Sequence, residues 1–170
     1  MLNRLVIGGM LVSAFAVRLP SGQTVPLAAN DKDFIVFAAE TDLAAARYGQ
    51  LARQRAVSED IRHFGQMLDD DHTDNLKRLT AIASKAGAEV PDTLDIKRMK
   101  TLKNLRKAKV KSFDHQYLKS VVNDHESALE SFKQEAGHSS SQDLATYAKD
   151  TLAKLEQHLK EAKQLAASAK

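Results

Sequence analysis

The segment SEDIRHFGQMLDDDHTDNLKRLTAIASKAG, residues 58–87, decides the fold. Its apolar residues recur at spacings of three and four, which places them on one face of an α-helix. Ser58 followed by two acidic residues is typical of a helix start, and Gly87 is typical of a helix end. A helix of about 26 residues is roughly 39 Å long. The buried face is predicted to consist of Ile61, Phe64, Leu68, His72, Asn75, Leu79 and Ile82.

Three further segments show the same periodicity: residues 31–56, residues 110–136, and the chain from Ser141 onward. Only seven glycines and three prolines interrupt 170 residues, and good helix formers dominate. The 43% hydrophobic and 28% charged residues fit one compact domain. We therefore expect an all-α protein built as a four-helix bundle.

The connection between the second and third long helices is unusually long for a bundle, where two to eight residues are usual. It spans residues 88–109 and contains a short helical pattern after Pro91. A connection of this length can carry the chain along the whole bundle. The third long helix can then run parallel to the second, as in crossover bundles.

Residues 1–29 resemble a targeting segment. Arg4 precedes an apolar run, Leu5–Val17, that is too short to span a bilayer but has the length of a signal-peptide core. We expect export to the periplasm or cell envelope, with residues 30–170 forming the bundle. The alternative is an uncleaved N-terminal anchor.

Three histidines lie on the predicted buried faces of three different helices: His72, His125 and His158. Each lies about thirteen to sixteen residues into its helix. A mid-helix residue stays at mid-bundle whichever way its helix runs, so the three imidazoles should share one layer and point inward. Bundle cores build metal sites from side chains on facing helices, and imidazole binds Zn, Cu, Fe and Ni.

Two acidic residues lie on or beside the same buried faces, and we predict that Asp71 or Asp114 supports the histidine site. The bound ion would be a transition metal such as Fe, Zn, Cu or Mn. The alternative is a metal-free buried network in which every polar group is hydrogen-bonded. Only His72 has an acid three residues before it, so the paired Glu-x-x-His elements of a di-iron centre are incomplete.

The connection also carries a basic stretch, residues 97–111, with eight lysines and arginines. It predicts either docking on an anionic membrane surface or a solvated face of the short helix. No aromatic residues interleave with these charges, so nucleic-acid binding by base stacking is not indicated. The chain has no cysteine, which excludes disulfides and thiolate metal sites, and no phosphate-binding loop or catalytic elbow is present.

Four motifs in these helices stand out: Phe64-x-x-Met67-x-x-Asp70-Asp71-His72-x-x-Asn75, Phe113-Asp114-x-x-Tyr117, Asp124-His125-Glu126 and Thr151-Leu152-x-x-Leu155-x-x-His158-Leu159. Together they resemble a known bacterial family, domain-of-unknown-function family 4142. The resemblance covers residues 31 to about 167.

The resemblance implies a ferritin-like fold, export, and metal binding at the histidine layer, and it supplies no activity. An acid is usual in the family where Ala45 stands, so the resemblance leaves the first helix without its expected carboxylate. Ala153 replaces a usual proline, which should leave the last helix straighter. The leading hypothesis is a non-catalytic metal-binding envelope protein. A ferritin-type iron or manganese oxidase or peroxide scavenger, and a structural or interaction protein, are the alternatives.

Overall fold

The computed structural model describes residues 27–168, which form five α-helices and, within that range, no strand. The helices are α1 (Ala29–Arg55), α2 (Glu59–Lys85), α3 (Ile96–Lys107), α4 (Val110–His138) and α5 (Gln142–Ser168). The all-α prediction is confirmed, and the predicted targeting segment lies outside the described residues except for positions 27–29. None of the described helices is long and apolar enough to cross a bilayer.

The buried apolar side chains form two clusters, one toward each end of the long helices. One cluster contains side chains from the second half of α1, the first halves of α2 and α4, and the end of α5. The other takes the first halves of α1 and α5 and the second halves of α2 and α4. The starts of α2 and α4 therefore lie at the same end, and both helices run antiparallel to α1 and α5.

Helices α1 and α2 are in backbone contact at two glycines, Gly49 and Gly65. A Cβ on Gly49 would collide with the carbonyl oxygen of Gly65 and lie 2.9 Å from the backbone nitrogen of Asp69. A Cβ on Gly65 would lie 2.8 Å from the Cβ of Ala52. Because backbone atoms cannot move aside as a flexible side chain can, these two glycines fix the distance between α1 and α2.

The short helix α3 lies against α1, and arginines fix it at both of its ends. Arg98 is buried and donates to the Thr41 hydroxyl at 2.9 Å, while the Asp95 carboxylate accepts from the Arg98 backbone at the start of α3. At the other end, Arg55 donates to the carbonyl of Leu105 at 2.8 Å. A cation at a helix C-terminus satisfies carbonyls that have no partner within the helix.

Candidate metal centre

The structure brings the three predicted histidines together between the two apolar clusters. His72 of α2, His125 of α4 and His158 of α5 are exposed by only 0%, 2% and 1%. Their ring centroids lie 5.3 to 5.6 Å apart. One nitrogen of each ring lies within 4.8 Å of a nitrogen of each of the others. The mid-helix positions thus form one layer, with apolar packing above and below it.

Each imidazole uses one ring nitrogen for a hydrogen bond to an acceptor. The Nδ1 of His72 lies 2.8 Å from the Asp42 carboxylate, and the Nδ1 of His125 lies 3.0 Å from the carbonyl oxygen of Val121. The Nε2 of His158 lies 2.9 Å from the carboxylate of Asp71. A carbonyl oxygen and an ionised carboxylate can only accept, so in the neutral rings these three nitrogens carry the protons.

The other nitrogen of each ring has no hydrogen-bond partner among the described residues. These atoms are Nε2 of His72, Nε2 of His125 and Nδ1 of His158. In the neutral tautomers set by the acceptors, each of these nitrogens carries a free lone pair. A metal-bound histidine ordinarily donates its other ring N–H to a carboxylate or a backbone carbonyl, and all three rings do so here.

The spacing of the rings suits a single ion. Three nitrogens that are pairwise within 4.8 Å share a point within about 2.8 Å of each, against metal–nitrogen bonds of about 2.0–2.1 Å. To close that difference, each ring nitrogen must move by less than about an ångström, and small rotations about the side-chain torsions can supply that movement. Three buried imidazoles on separate helices therefore fit a mononuclear transition-metal site.

The first helix supplies a buried carboxylate that sequence reasoning missed. Asp42 is completely buried, and it accepts from His72 and, at 2.8 Å, from the Tyr147 hydroxyl. Burial raises the pKa of Asp42, while the hydrogen bond and charge of His72 oppose that rise. The expectation that α1 lacks an acid at the histidine layer is wrong, because Asp42 lies three residues before Ala45 on the same helix face. Asp42 follows Ala38, a residue of the buried face of α1, by four positions, and this spacing was the sequence signal that Asp42 lies on the same face.

The two predicted supporting acids have different positions. Asp71 bonds to His158 and, at 2.6 Å, to the ammonium group of Lys154. Burial acts to raise the pKa of Asp71, but these hydrogen bonds outweigh it, so the pKa is lowered. Asp71 thus orients a histidine and is not placed as a ligand.

Asp114 is not brought to the histidines. It lies eleven residues before His125 in α4, about 16 Å along the helix axis. Its carboxylate accepts from the backbone N–H groups of Val57 and Ser58 at 3.0 and 2.9 Å. The prediction that Asp114 supports the site is corrected, because this carboxylate instead binds backbone donors at the start of α2.

The sequence matches the family described as "Domain of unknown function (DUF4142)" over residues 16–165. The chain belongs to the DUF4142 family. The match covers α1, α2, α3 and α4 completely and nearly all of α5, including the three histidines and Asp42.

A solved structure shares the fold of this DUF4142 chain. It is the crystal structure of a DUF305 fragment from Deinococcus radiodurans, with a TM-score of 0.76 and 9% sequence identity. The alignment covers 85% of this chain and 99% of that one. At this identity the likeness shows the fold alone. No curated protein matches the DUF4142 chain.

The electrostatics of the DUF4142 site keep His125 and His158 neutral. Burial lowers the pKa of His125 well below its ordinary value, and a positive charge on His72 or His158 would act in the same direction. Burial lowers the pKa of His158 to about 4, with Asp71 opposing the shift. His125 and His158 are therefore unprotonated near pH 7, which is the form that binds a metal ion.

The described hydrogen bonds do not complete the metal-free network that the sequence offered as an alternative. Besides the three ring nitrogens, the hydroxyl of Tyr117 is buried without a partner among the described residues. A buried polar group without a partner costs about 1–3 kcal/mol.

Proposed function

We propose that this protein binds one transition-metal ion through His72, His125 and His158. One observation carries the proposal: each of the three buried rings has one nitrogen without a partner and the opposite nitrogen held by an acceptor, and the rings offer nitrogens within 4.8 Å of one another. The hydrogen-bond acceptors come from α1, α2 and α4, and the histidines from α2, α4 and α5. The three metal-binding nitrogens are therefore held in place only in the folded bundle. An ion bound there would be held by the fold as a whole.

The chemistry of the donors favours particular metals. Three neutral imidazoles suit Zn²⁺, Cu²⁺, Fe²⁺ and Ni²⁺, whereas Mn²⁺ prefers oxygen ligands and binds most weakly in the general affinity order. The buried Asp42 carboxylate, which the structure places on His72, supplies a negative charge that raises the basicity of its ring. We therefore expect affinity to fall from Cu²⁺ to Zn²⁺ to Fe²⁺ to Mn²⁺.

The proposed role is metal binding without catalysis. A ferritin-type oxidase needs two ions and carboxylates that bridge them. The donors that converge here are three nitrogens, which suit one ion. The nearest acids, Asp42 and Asp71, point at the protonated sides of His72 and His158.

The proposal places the site in a ferritin-like bundle outside the cytoplasm. The parallel course of α2 and α4 supports a crossover that contains α3, and the apolar run after Arg4 supports export to the periplasm or envelope. Cell fractionation followed by N-terminal sequencing tests the second point. Recovery of the chain from the cytoplasm with an intact N-terminus would contradict it.

The metal proposal is tested by titrating chelator-treated protein with Zn²⁺, Cu²⁺ and Mn²⁺ while stoichiometry and affinity are measured. We expect one ion per chain. Replacing His72, His125 or His158 singly with Ala should weaken binding by more than about 100-fold. Removing only the group that hydrogen-bonds to a metal ligand weakens binding about 10- to 100-fold, and losing the ligand itself should cost more.

Two exposed histidines provide matched controls. His63 and His115 lie on the surface of α2 and α4, so His63→Ala and His115→Ala should leave the affinity unchanged. Circular dichroism verifies that all five variants are folded. Binding that depends equally on the exposed histidines, or the absence of stoichiometric binding by the parent protein, would overturn the proposal.

A further inference from the structure

The outward face of α3 carries a stripe of positive charge. The buried side of this helix is formed by Arg98, Leu102 and Leu105. On the opposite side Ile96, Lys100, Lys103 and Lys107 follow at spacings of four, three and four. At 100° per residue these four positions lie within an arc of about 60°. The stripe is about 16 Å long and faces solvent along its whole length.

The charge of this region is not balanced locally. Residues 96–111 contain eight basic and no acidic residues, whereas the whole chain has a net charge of only +3, so the remainder carries −5. Arg98 is buried and paired with Asp95 and Glu40. The other seven are exposed and form no ion pair within residues 27–168: Lys97, Lys100, Lys103, Arg106, Lys107, Lys109 and Lys111.

Large apolar side chains are exposed among these cations. Ile96 is 85% exposed, Met99 53% and Val110 64%. They account for three of the five large hydrophobic residues that are exposed within residues 27–168. A soluble polyanion would contact the cations alone, whereas the surface of an anionic bilayer offers phosphates to the lysines and acyl chains to the apolar residues.

We propose that the outward face of α3 docks this protein onto an anionic phospholipid bilayer. The lysine stripe contacts the headgroups, and Ile96 and Met99 enter the boundary between headgroups and acyl chains. Arg98 and Arg55 fix α3 to the bundle, so the face is presented without any ordering step. The proposal rests on this surface and is independent of the metal site.

The test measures binding of the full chain to vesicles of phosphatidylcholine with and without phosphatidylglycerol. We expect binding to require phosphatidylglycerol and to weaken as salt is raised, because exposed charges are screened. The triple change Lys100→Gln, Lys103→Gln, Lys107→Gln should weaken it about 100-fold, since each lysine near an anionic surface contributes roughly fivefold. Every variant retains the N-terminal apolar run, so differences between variants report on α3.

A second triple variant serves as the matched control. Lys133→Gln, Lys149→Gln and Lys160→Gln remove the same charge from exposed positions on α4 and α5, and binding should stay within about twofold of the parent. If both triples weaken binding equally, net charge is the cause and the proposal fails. It also fails if the parent binds heparin but shows no preference for phosphatidylglycerol vesicles, which would identify a soluble polyanion.

The absence of tryptophan from the sequence allows a direct probe of insertion. The single tryptophan of Ile96→Trp should shift its emission to the blue when phosphatidylglycerol vesicles are added. A tryptophan in Gln157→Trp, exposed on α5, should not shift. An unshifted probe at position 96 in the presence of bound vesicles would show that another surface makes the contact.

Discussion

Replacement of Asp42 separates the structural role of this carboxylate from its effect on the metal. Asp42 is completely buried and accepts one hydrogen bond from His72 and one from Tyr147, each of 2.8 Å. In Asp42→Ala both donors lose their acceptor. Each buried donor left unpaired costs about 1–3 kcal/mol, so we expect the free energy of unfolding to fall by about 2–6 kcal/mol.

The isosteric change Asp42→Asn should have little effect on stability but should weaken metal binding. The amide oxygen still accepts from His72, and the Tyr147 hydroxyl can rotate to accept from the amide nitrogen. Stability should therefore stay within about 1 kcal/mol of the parent, because both hydrogen bonds are preserved in neutral form. The negative charge is lost, however, and loss of such a partner weakens metal binding about 10- to 100-fold, or roughly 1.4–2.7 kcal/mol.

Two measurements are needed on the same variants. Urea unfolding of chelator-treated protein gives the stability, and competition with a chromophoric Zn²⁺ chelator gives the affinity. Tyr147→Phe is the matched control, since it removes one donor but retains the carboxylate, and it should bind Zn²⁺ within a fewfold of the parent. If Asp42→Asn binds Zn²⁺ as tightly as the parent, or is as unstable as Asp42→Ala, the assigned role of Asp42 is refuted.

Three further predictions concern packing, pH and the unpaired nitrogens. Gly49→Ala should destabilise the protein by about 1–3 kcal/mol in urea unfolding, because its Cβ meets backbone atoms of α2, whereas Gly137→Ala, which meets nothing within 4 Å, should be neutral or slightly stabilising. The pKa of His158 is about 4 in the folded chain and near 6.5 in the unfolded chain, so the unfolded chain binds its proton first as the pH falls. His158 alone should therefore cost chelator-treated protein about 2 kcal/mol of stability between pH 7 and pH 5. His158→Gln should remove that part of the loss in urea unfolding, while His125, whose pKa is also lowered, continues to contribute. His125→Leu should abolish Zn²⁺ binding yet raise the melting temperature of metal-free protein by a few degrees in calorimetry, since an unpaired buried nitrogen is removed; a lower melting temperature would contradict this.

The helices and the histidine layer were predictable because both depend on local periodicity. The spacing of apolar residues sets the buried face of each helix, and a residue in the middle of a helix stays in the middle of a bundle. His72, His125 and His158 therefore needed no knowledge of helix directions to be placed in one layer. Their hydrogen-bond acceptors depend on which helices are neighbours, and the sequence pattern alone does not specify that.

The residues that were misjudged all act across helix contacts. Asp42 reaches His72 because Gly49 and Gly65 bring α1 and α2 together, and an acid among alanines gave little sign of that burial. Asp114 lies beside the start of α2 and binds its backbone, a role that its position on the face of α4 does not reveal. Periodicity places Asp114 correctly on its own helix and does not single out Asp42, and in both cases the hydrogen-bond partner lies on another helix.

The unpaired nitrogens connect the stability of the bundle to its ligand. If they stay without partners, the three buried nitrogens would cost the metal-free fold several kcal/mol, at about 1–3 kcal/mol each. Such a cost persists only where the surrounding packing is strong enough to hold the rings, and here the apolar clusters on either side and the three acceptors do so. A ligand that binds only the folded chain at a thousand times its Kd adds about 4.1 kcal/mol of stability, which is enough to offset much of that cost. The ion would therefore act as a structural part of the core, and depletion of metal should loosen the layer between the two apolar clusters first.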